Sequence, residues 1–279
     1  MPDQPLSTTS LLPAPTNAPL PDPWQALRQH TPARIALGRT GASLPVQEML
    51  RLQAAHAQAR DAIDLPLDSQ AIADRWLSSK ATPDMPVLQL ASEAADRATY
   101  LLRPDKGRRL DADSVAAIND FLQNSPAPPP DLLLVVGDGL SALGIQQHSL
   151  ALLEAICQAL AALPLRIGPL IVVHHARVAI ADEIGEKFKA RLTAILIGER
   201  PGLSSPDSIG IYLTLNPLVG CSDAQRNCIS NIRPAGQSLH SAAARLAWLV
   251  QEALRIGATG VALKDHSGVA SALNFEAGV

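Results

Sequence analysis

Apolar positions recur at helical spacing from Pro45 onward: Val46, Met49, Leu50 and Leu52 begin a series that runs through Ala62 and Ile63. The spacing predicts a helix that Pro66 ends, after which Asp68 caps a short helix through Trp76 and Leu77. Asp111 and Asp113 are N-cap candidates for a third helix through Leu122, closed by Pro126, Pro128, Pro129 and Pro130. The pattern then changes. Leu132 to Val136 is an unbroken apolar run of strand length, as a buried parallel strand requires. A helix apolar almost all round follows from about Ser149 to Leu163, then a strand over Pro169 to Val173 and a helix over Asp182 to Ala190. Strands at Ala194 to Ile197 and Ile209 to Leu215 come next, and an amphipathic helix spans about Ser238 to Ile256. Alternating strands and helices predict an α/β fold with a doubly wound, mostly parallel, Rossmann-like sheet, preceded by a small helical subdomain.

Seven prolines between Pro2 and Pro23 punctuate the first segment, removing amide donors and fixing φ. Residues 1–29 are accordingly read as a Pro-rich disordered tail, residues 30–95 as the helical subdomain, and residues 96–279 as the α/β domain. The 279 residues suffice to bury about 75% of the unfolded surface. Hydrophobic residues at 47% and charged ones at 18% describe a core-rich chain. A net charge of −3 and 3% aromatic residues argue against a nucleic-acid partner, which needs a basic surface and stacking platforms. The three cysteines lack metal-site spacing and suit a reducing compartment. No apolar run reaches the roughly 20 residues of a membrane span, and the N-terminus lacks the pattern of a secretory signal. A cytoplasmic protein without a membrane partner is expected.

Chemistry-bearing residues gather just past the strands. In an open α/β sheet ligands bind in the crevice beyond the carboxyl ends of the strands. There lie Gly198-Glu199-Arg200-Pro201-Gly202 and, further on, Arg226 to Ile232 with a cysteine at 228. Glu199 directs a carboxylate into that crevice, with an ion pair to Arg200 or Arg226 as the alternative. Cys228 reads either as a nucleophile or as a small packing residue against a flat ligand. Gly137-Asp138-Gly139-Leu140-Ser141-Ala142 matches G-x-G-x-x-A, the dinucleotide fingerprint. The acid that should end the next strand is absent, however; His174 and His175 stand there. Those neighbours point to opposite faces of a strand, so they do not readily ligate one metal, and no metal site is expected.

Four motifs occur together and in order: Arg103-Pro104-Asp105 with Gly107-Arg108-Arg109-Leu110, Asp138-Gly139-Leu140-Ser141, Gly198 to Leu203, and Cys228-Ile229-Ser230-Asn231-Ile232. Over roughly residues 30 to 260 they resemble the small (light) subunit of ethanolamine ammonia-lyase. The resemblance implies an adenosylcobalamin-dependent carbon–nitrogen lyase that converts ethanolamine to acetaldehyde and ammonia. It implies a large-subunit partner that binds most of the substrate, and a setting that extends to a bacterial microcompartment. It carries three cobalamin contacts onto this chain, at Val178, Glu199 and Cys228, and assigns it no catalytic residue. His174-His175-Ala176 depart from the family pattern before Arg177-Val178, which concerns the shape of that loop. The rival expectations are a nicotinamide-dependent oxidoreductase and a non-catalytic adaptor.

Overall fold

The computed structural model describes residues 23–31, 33–79, 85–125 and 127–268. The chain divides into two compact units, Met1–His56 and Ala57–Val279. Most of the Pro-rich tail expected at the N-terminus lies outside the described residues. Within the first unit Pro23–Gln29 forms a 3-10 helix, and Glu48 pairs with Arg51 at 2.6 Å and Arg28 at 3.8 Å. Helix α1 (Val46–Asp64) starts where the apolar spacing placed it.

The second unit is built on one six-stranded sheet. Its strands are β1 (Val87–Ala91), β2 (Leu132–Gly137), β3 (Leu170–His174), β4 (Leu192–Gly198), β5 (Ile209–Leu215) and β6 (Arg226–Ile232), in the spatial order β1-β3-β2-β4-β5-β6. Its helices are α2 (Ser69–Ser78), α3 (Arg97–Leu102), α4 (Ala112–Asn124), α5 (Ala142–Leu160), α6 (Ile180–Phe188) and α7 (Leu239–Ile256). Strands β1 to β4 are parallel, while β4–β5 and β5–β6 are antiparallel pairs.

The fold is thus α/β and its sheet is mixed, with three parallel and two antiparallel strand pairs. The reason lies in the connections. A parallel crossover needs a dozen or more residues, usually a helix. Residues 199–208 and 216–225 are too short and carry no α-helix, so β5 and β6 fold back as antiparallel neighbours.

Strand β2 is buried throughout, and its residues alternate between two apolar layers. Leu132, Leu134 and Val136 pack with Ile145, Leu152 and Ile156 of α5 and Leu246, Leu249 and Val250 of α7. Leu133 and Val135 face Ile118 of α4 and Ile180, Ile184 and Phe188 of α6. Each such side chain contributes about 1.5–3 kcal/mol on burial.

Two boundaries differ from the pattern. Helix α5 begins at Ala142, ahead of the expected Ser149, and Gly144 in its first turn lies against the backbone of Asp207 and Ser208, where a side chain would collide. Strand β1 falls inside the stretch 30–95 read as helical, where it pairs with β3 from Val87↔Leu170 to Ala91↔His174.

Candidate functional site

Strand β3 lies on one side of β2 and β4 on the other, so the chain leaves β2 in one direction and returns past it. That switch of direction opens a crevice beyond the strand ends. A cavity of about 370 Å³ occupies it, lined by Val178 from the loop after β3, Gly139 and Leu140 after β2, Glu199 and Arg200 after β4, and Tyr212 of β5.

The loops that form the cavity floor touch backbone to backbone. Gly139 has φ +59, and a Cβ there would strike the Gly198 carbonyl oxygen; a Cβ at Gly198 would strike that of Ser141. The Leu140 N–H donates to the Gly198 oxygen at 3.0 Å. The glycines of both motifs are therefore required by this close approach of the β2 and β4 loops. Asp138, 4% exposed, turns inward: Oδ2 accepts the N–H of His175 at 2.9 Å and Oδ1 that of Ala176 at 2.8 Å. Burial pushes its carboxyl above the usual range, against the pull of those two amides.

This arrangement departs from a dinucleotide site. The fingerprint places a pyrophosphate at the helix N-terminus. Here the first turn of α5 is occupied by protein, with Ser141 Oγ donating to Pro206 O at 3.0 Å and Gly144 packed on residues 207 and 208. The nicotinamide reading finds no support in that geometry.

The loop after β3 is anchored at several points. His175 has φ +53, its Nδ1 lies 2.9 Å from Ala94 O, and its carbonyl accepts Ser92 Oγ at 2.8 Å. Arg177 N donates to Gly107 O at 2.7 Å, where a Cβ on Gly107 would meet Arg177 Cγ. Tyr100 braces the same loop. Its hydroxyl donates to Ala176 O at 3.1 Å, and the Arg177 and Arg97 guanidinium groups lie 4.3 and 4.8 Å from its ring centroid. Arg97 in turn donates to Gly139 O and Leu140 O at 2.8 Å each. His174 Nε2 lies 2.8 Å from Ser69 Oγ. Among the described residues no group of three or more His, Cys, Asp or Glu is placed to hold a metal ion.

Glu199 is half-buried, and its carboxylate accepts the Asn231 N–H with both oxygens at 3.2 Å. Asn231 sits in the left-handed region, at φ +56, where the β5–β6 register shifts. The alternative ion pair with Arg226 does not form; that guanidinium is bonded to buried Asp182 and to Asp223. Cys228 is exposed and stands opposite Tyr212 across the β5–β6 pair. Desolvation of its thiol pushes the pKa up, the reverse of what activates a nucleophile. The structure thus brings Val178 and Glu199 to one cavity and sets Cys228 beside it through Tyr212.

Sequence reasoning passed over Tyr100 and Tyr212. Both tyrosines of the chain line this cavity, and in a sequence so poor in aromatics their position near the motifs was the available signal. A larger cavity of about 670 Å³ lies at the opposite ends of the parallel strands, between Phe121, Phe188 and Pro128 to Pro130. It lacks the converging glycine loops and carboxylate of the smaller one, and chemistry favours the smaller.

The family described as ethanolamine ammonia-lyase light chain (EutC) matches residues 21–264. A protein of Azotobacter vinelandii called ethanolamine ammonia-lyase small subunit is 51% identical over 249 residues, covering 89% of this chain and 90% of its own. One of Pseudomonas aeruginosa with the same name is 52% identical over 256 residues, covering 92% of each chain. Another, of Ralstonia nicotianae, is 50% identical over 249 residues, covering 89% of this chain and 90% of its own.

Proposed function

The chain belongs to the ethanolamine ammonia-lyase light chain family, and on that premise we propose that it joins a large subunit to form an enzyme converting ethanolamine to acetaldehyde and ammonia. In this reading adenosylcobalamin lies between the two chains, with Val178, Glu199 and Cys228 as this chain's contacts. The substrate is held mainly by the large subunit.

The residues present fit such a group. Corrin is a broad apolar ring fringed with amides, too large for a cavity of about 370 Å³ but suited to rest an edge on it. Glu199 keeps acceptor capacity beyond Asn231, since an ionised carboxylate offers about four lone-pair sites and one N–H is bound. Val178 and the exposed Cys228 offer small, uncharged surface, and Gly210 leaves room beside the Glu199 carboxylate.

The chemistry adenosylcobalamin supplies when bound is homolysis of its cobalt–carbon bond, which provides a radical for hydrogen abstraction. What this chain contributes is binding and orientation. Glu199 would accept amide N–H groups at one edge of the group and Val178 and Cys228 would set its distance of approach, carried respectively by the loop after β4, the loop after β3 and β6. A position fixed in this way costs no reorganisation at the moment of reaction.

The observation that supports the reading most is the meeting of Val178 and Glu199, far apart in sequence, at one cavity in a chain about half identical to proteins of that name. The test is ethanolamine turnover by the purified chain, by its large subunit, and by both with adenosylcobalamin. Acetaldehyde should form only with both chains. Equal turnover by the large subunit alone would overturn the proposal. A microcompartment setting and the division at about residue 95 belong to the same proposal and are tested by localisation and by limited proteolysis.

A further inference from the structure

The Gly137-Asp138-Gly139 turn matches a nucleotide motif yet holds no nucleotide in the reading above, and its carboxylate is among the most buried of the described residues. We infer that Asp138 is the positioning residue of the cofactor site, holding the loop that presents Val178 by accepting the amides of His175 and Ala176. The inference rests on the reading that Val178 contacts the cofactor.

Three observations carry it. First, the two amides are bound at 2.9 and 2.8 Å by separate oxygens of one carboxylate, so Asp138 grips two consecutive peptide units. Second, the backbone between them is in a conformation that needs such a grip: His175 has φ +53, a region ordinary L-residues seldom adopt. Third, the grip is transmitted. Ala176 is fully buried against Gly137, its oxygen accepts the Tyr100 hydroxyl at 3.1 Å, and the next residue, Arg177, donates its N–H to Gly107 O at 2.7 Å. Val178 follows directly. Because residue 139 packs on Gly198, the same turn also fixes the loop of Glu199. One turn after β2 thus sets the separation of two contacts carried by β3 and β4.

Aspartate is the side chain that suits this position. Asparagine has the same shape but only one acceptor oxygen; its NH₂ would face a backbone N–H, donor against donor. The test is D138N in the assembled enzyme, beside V178G and the double variant. Amide hydrogen exchange is measured without cofactor, and adenosylcobalamin affinity by titration. In D138N, exchange across residues 174–178 should quicken about tenfold, as for one lost hydrogen bond, while α7 is unmoved. Affinity should fall about tenfold, and the double variant should bind no more weakly than the weaker single one, because the Asp138 carboxylate reaches the site through the Val178 loop while the Glu199 loop packs on residue 139.

Unchanged exchange at 174–178 overturns the inference even where V178G weakens binding, and leaves the cofactor reading standing. Faster exchange throughout β2, β3 and β4 makes Asp138 a brace of the whole fold and also overturns it. A loosened loop with normal affinity in both D138N and V178G shows the Val178 contact itself to be wrong. Additive losses overturn it by showing that Asp138 acts elsewhere. Should D138N fail to assemble, Y100F removes the hydroxyl bond to Ala176 O and should quicken the same segment several-fold. No change there overturns the inference.

Discussion

Glu199 reaches across from the end of β4 to the Asn231 N–H on β6, binding it with both carboxylate oxygens at 3.2 Å. The contact ties the shift in β6 register to the cavity and leaves most of the carboxylate's acceptor capacity facing outward. In the assembled enzyme E199A should weaken adenosylcobalamin binding by about 1–3 kcal/mol, the cost of leaving a polar partner unsatisfied. E199Q, which keeps one acceptor, should lose less. An unchanged affinity in titrations of E199A would remove Glu199 from the site.

Cys228 packs and does not react in this account. Its thiol pKa is raised, and its cross-strand neighbour is a tyrosine whose own hydroxyl is pushed upward by burial. C228S should keep turnover within about threefold of the parent, as a surface contact of similar size would allow. A fall on the order of 10⁴-fold or more, the scale of deleting a nucleophile, would contradict that role.

Gly198 is where the β2 and β4 loops meet. A Cβ there collides with the carbonyl oxygens of Ser141 and Asp138, backbone atoms that cannot rotate away. G198A should cost about 1–3 kcal/mol in urea unfolding, as overpacking does, and should lower cofactor affinity besides. A G198A protein of parental stability would mean that these loops are free to part.

Glu183 provides a pH test of stability. Burial raises its carboxyl pKa, but Arg109, whose Nε lies 3.0 Å away, and the Leu110 N–H at 2.9 Å outweigh it, and the net shift is downward from 4.5. A carboxylate depressed in the folded state binds fewer protons there than when unfolded. Its contribution is therefore complete above pH 4.5 and is lost as pH falls through the folded value. The stability gap between the parent and E183Q should be widest near neutral pH and should close below pH 4.5. A gap that stays constant into acid would show that the ion pair contributes nothing.

Much of this was legible in the chain. The run Leu132 to Val136 announced a buried central strand, and Ser238 and Gly257 bracket α7 as its N-cap and left-handed C-cap. The glycines at 139 and 198 marked the crevice, and the four ordered motifs pointed to the family the comparisons report. What escaped depends on partners distant in sequence. Strand β1 is short and interrupted by Gln89, whose polar side chain finds Ser69 and Gln70 on α2, a match no local pattern reveals. The antiparallel β5 is buried along most of its length, as a parallel strand is, and its short connection is what sets its direction. Asp138 looked like the centre of a nucleotide turn because its true partners, two amides nearly 40 positions later, are visible only when folded. Of the two ion pairs weighed for Glu199, the one with Arg226 does not form because Arg226 is claimed by Asp182, which the linear sequence does not place beside it.

A cofactor site completed by two chains would show as cobalamin absorbance that co-elutes with this chain only in a complex. The chain is purified alone and after co-expression with its large subunit, each in the presence of adenosylcobalamin. Cobalamin should be retained in the two-chain complex and not by the isolated chain. A stable, folded two-chain complex that elutes free of cobalamin would contradict the account.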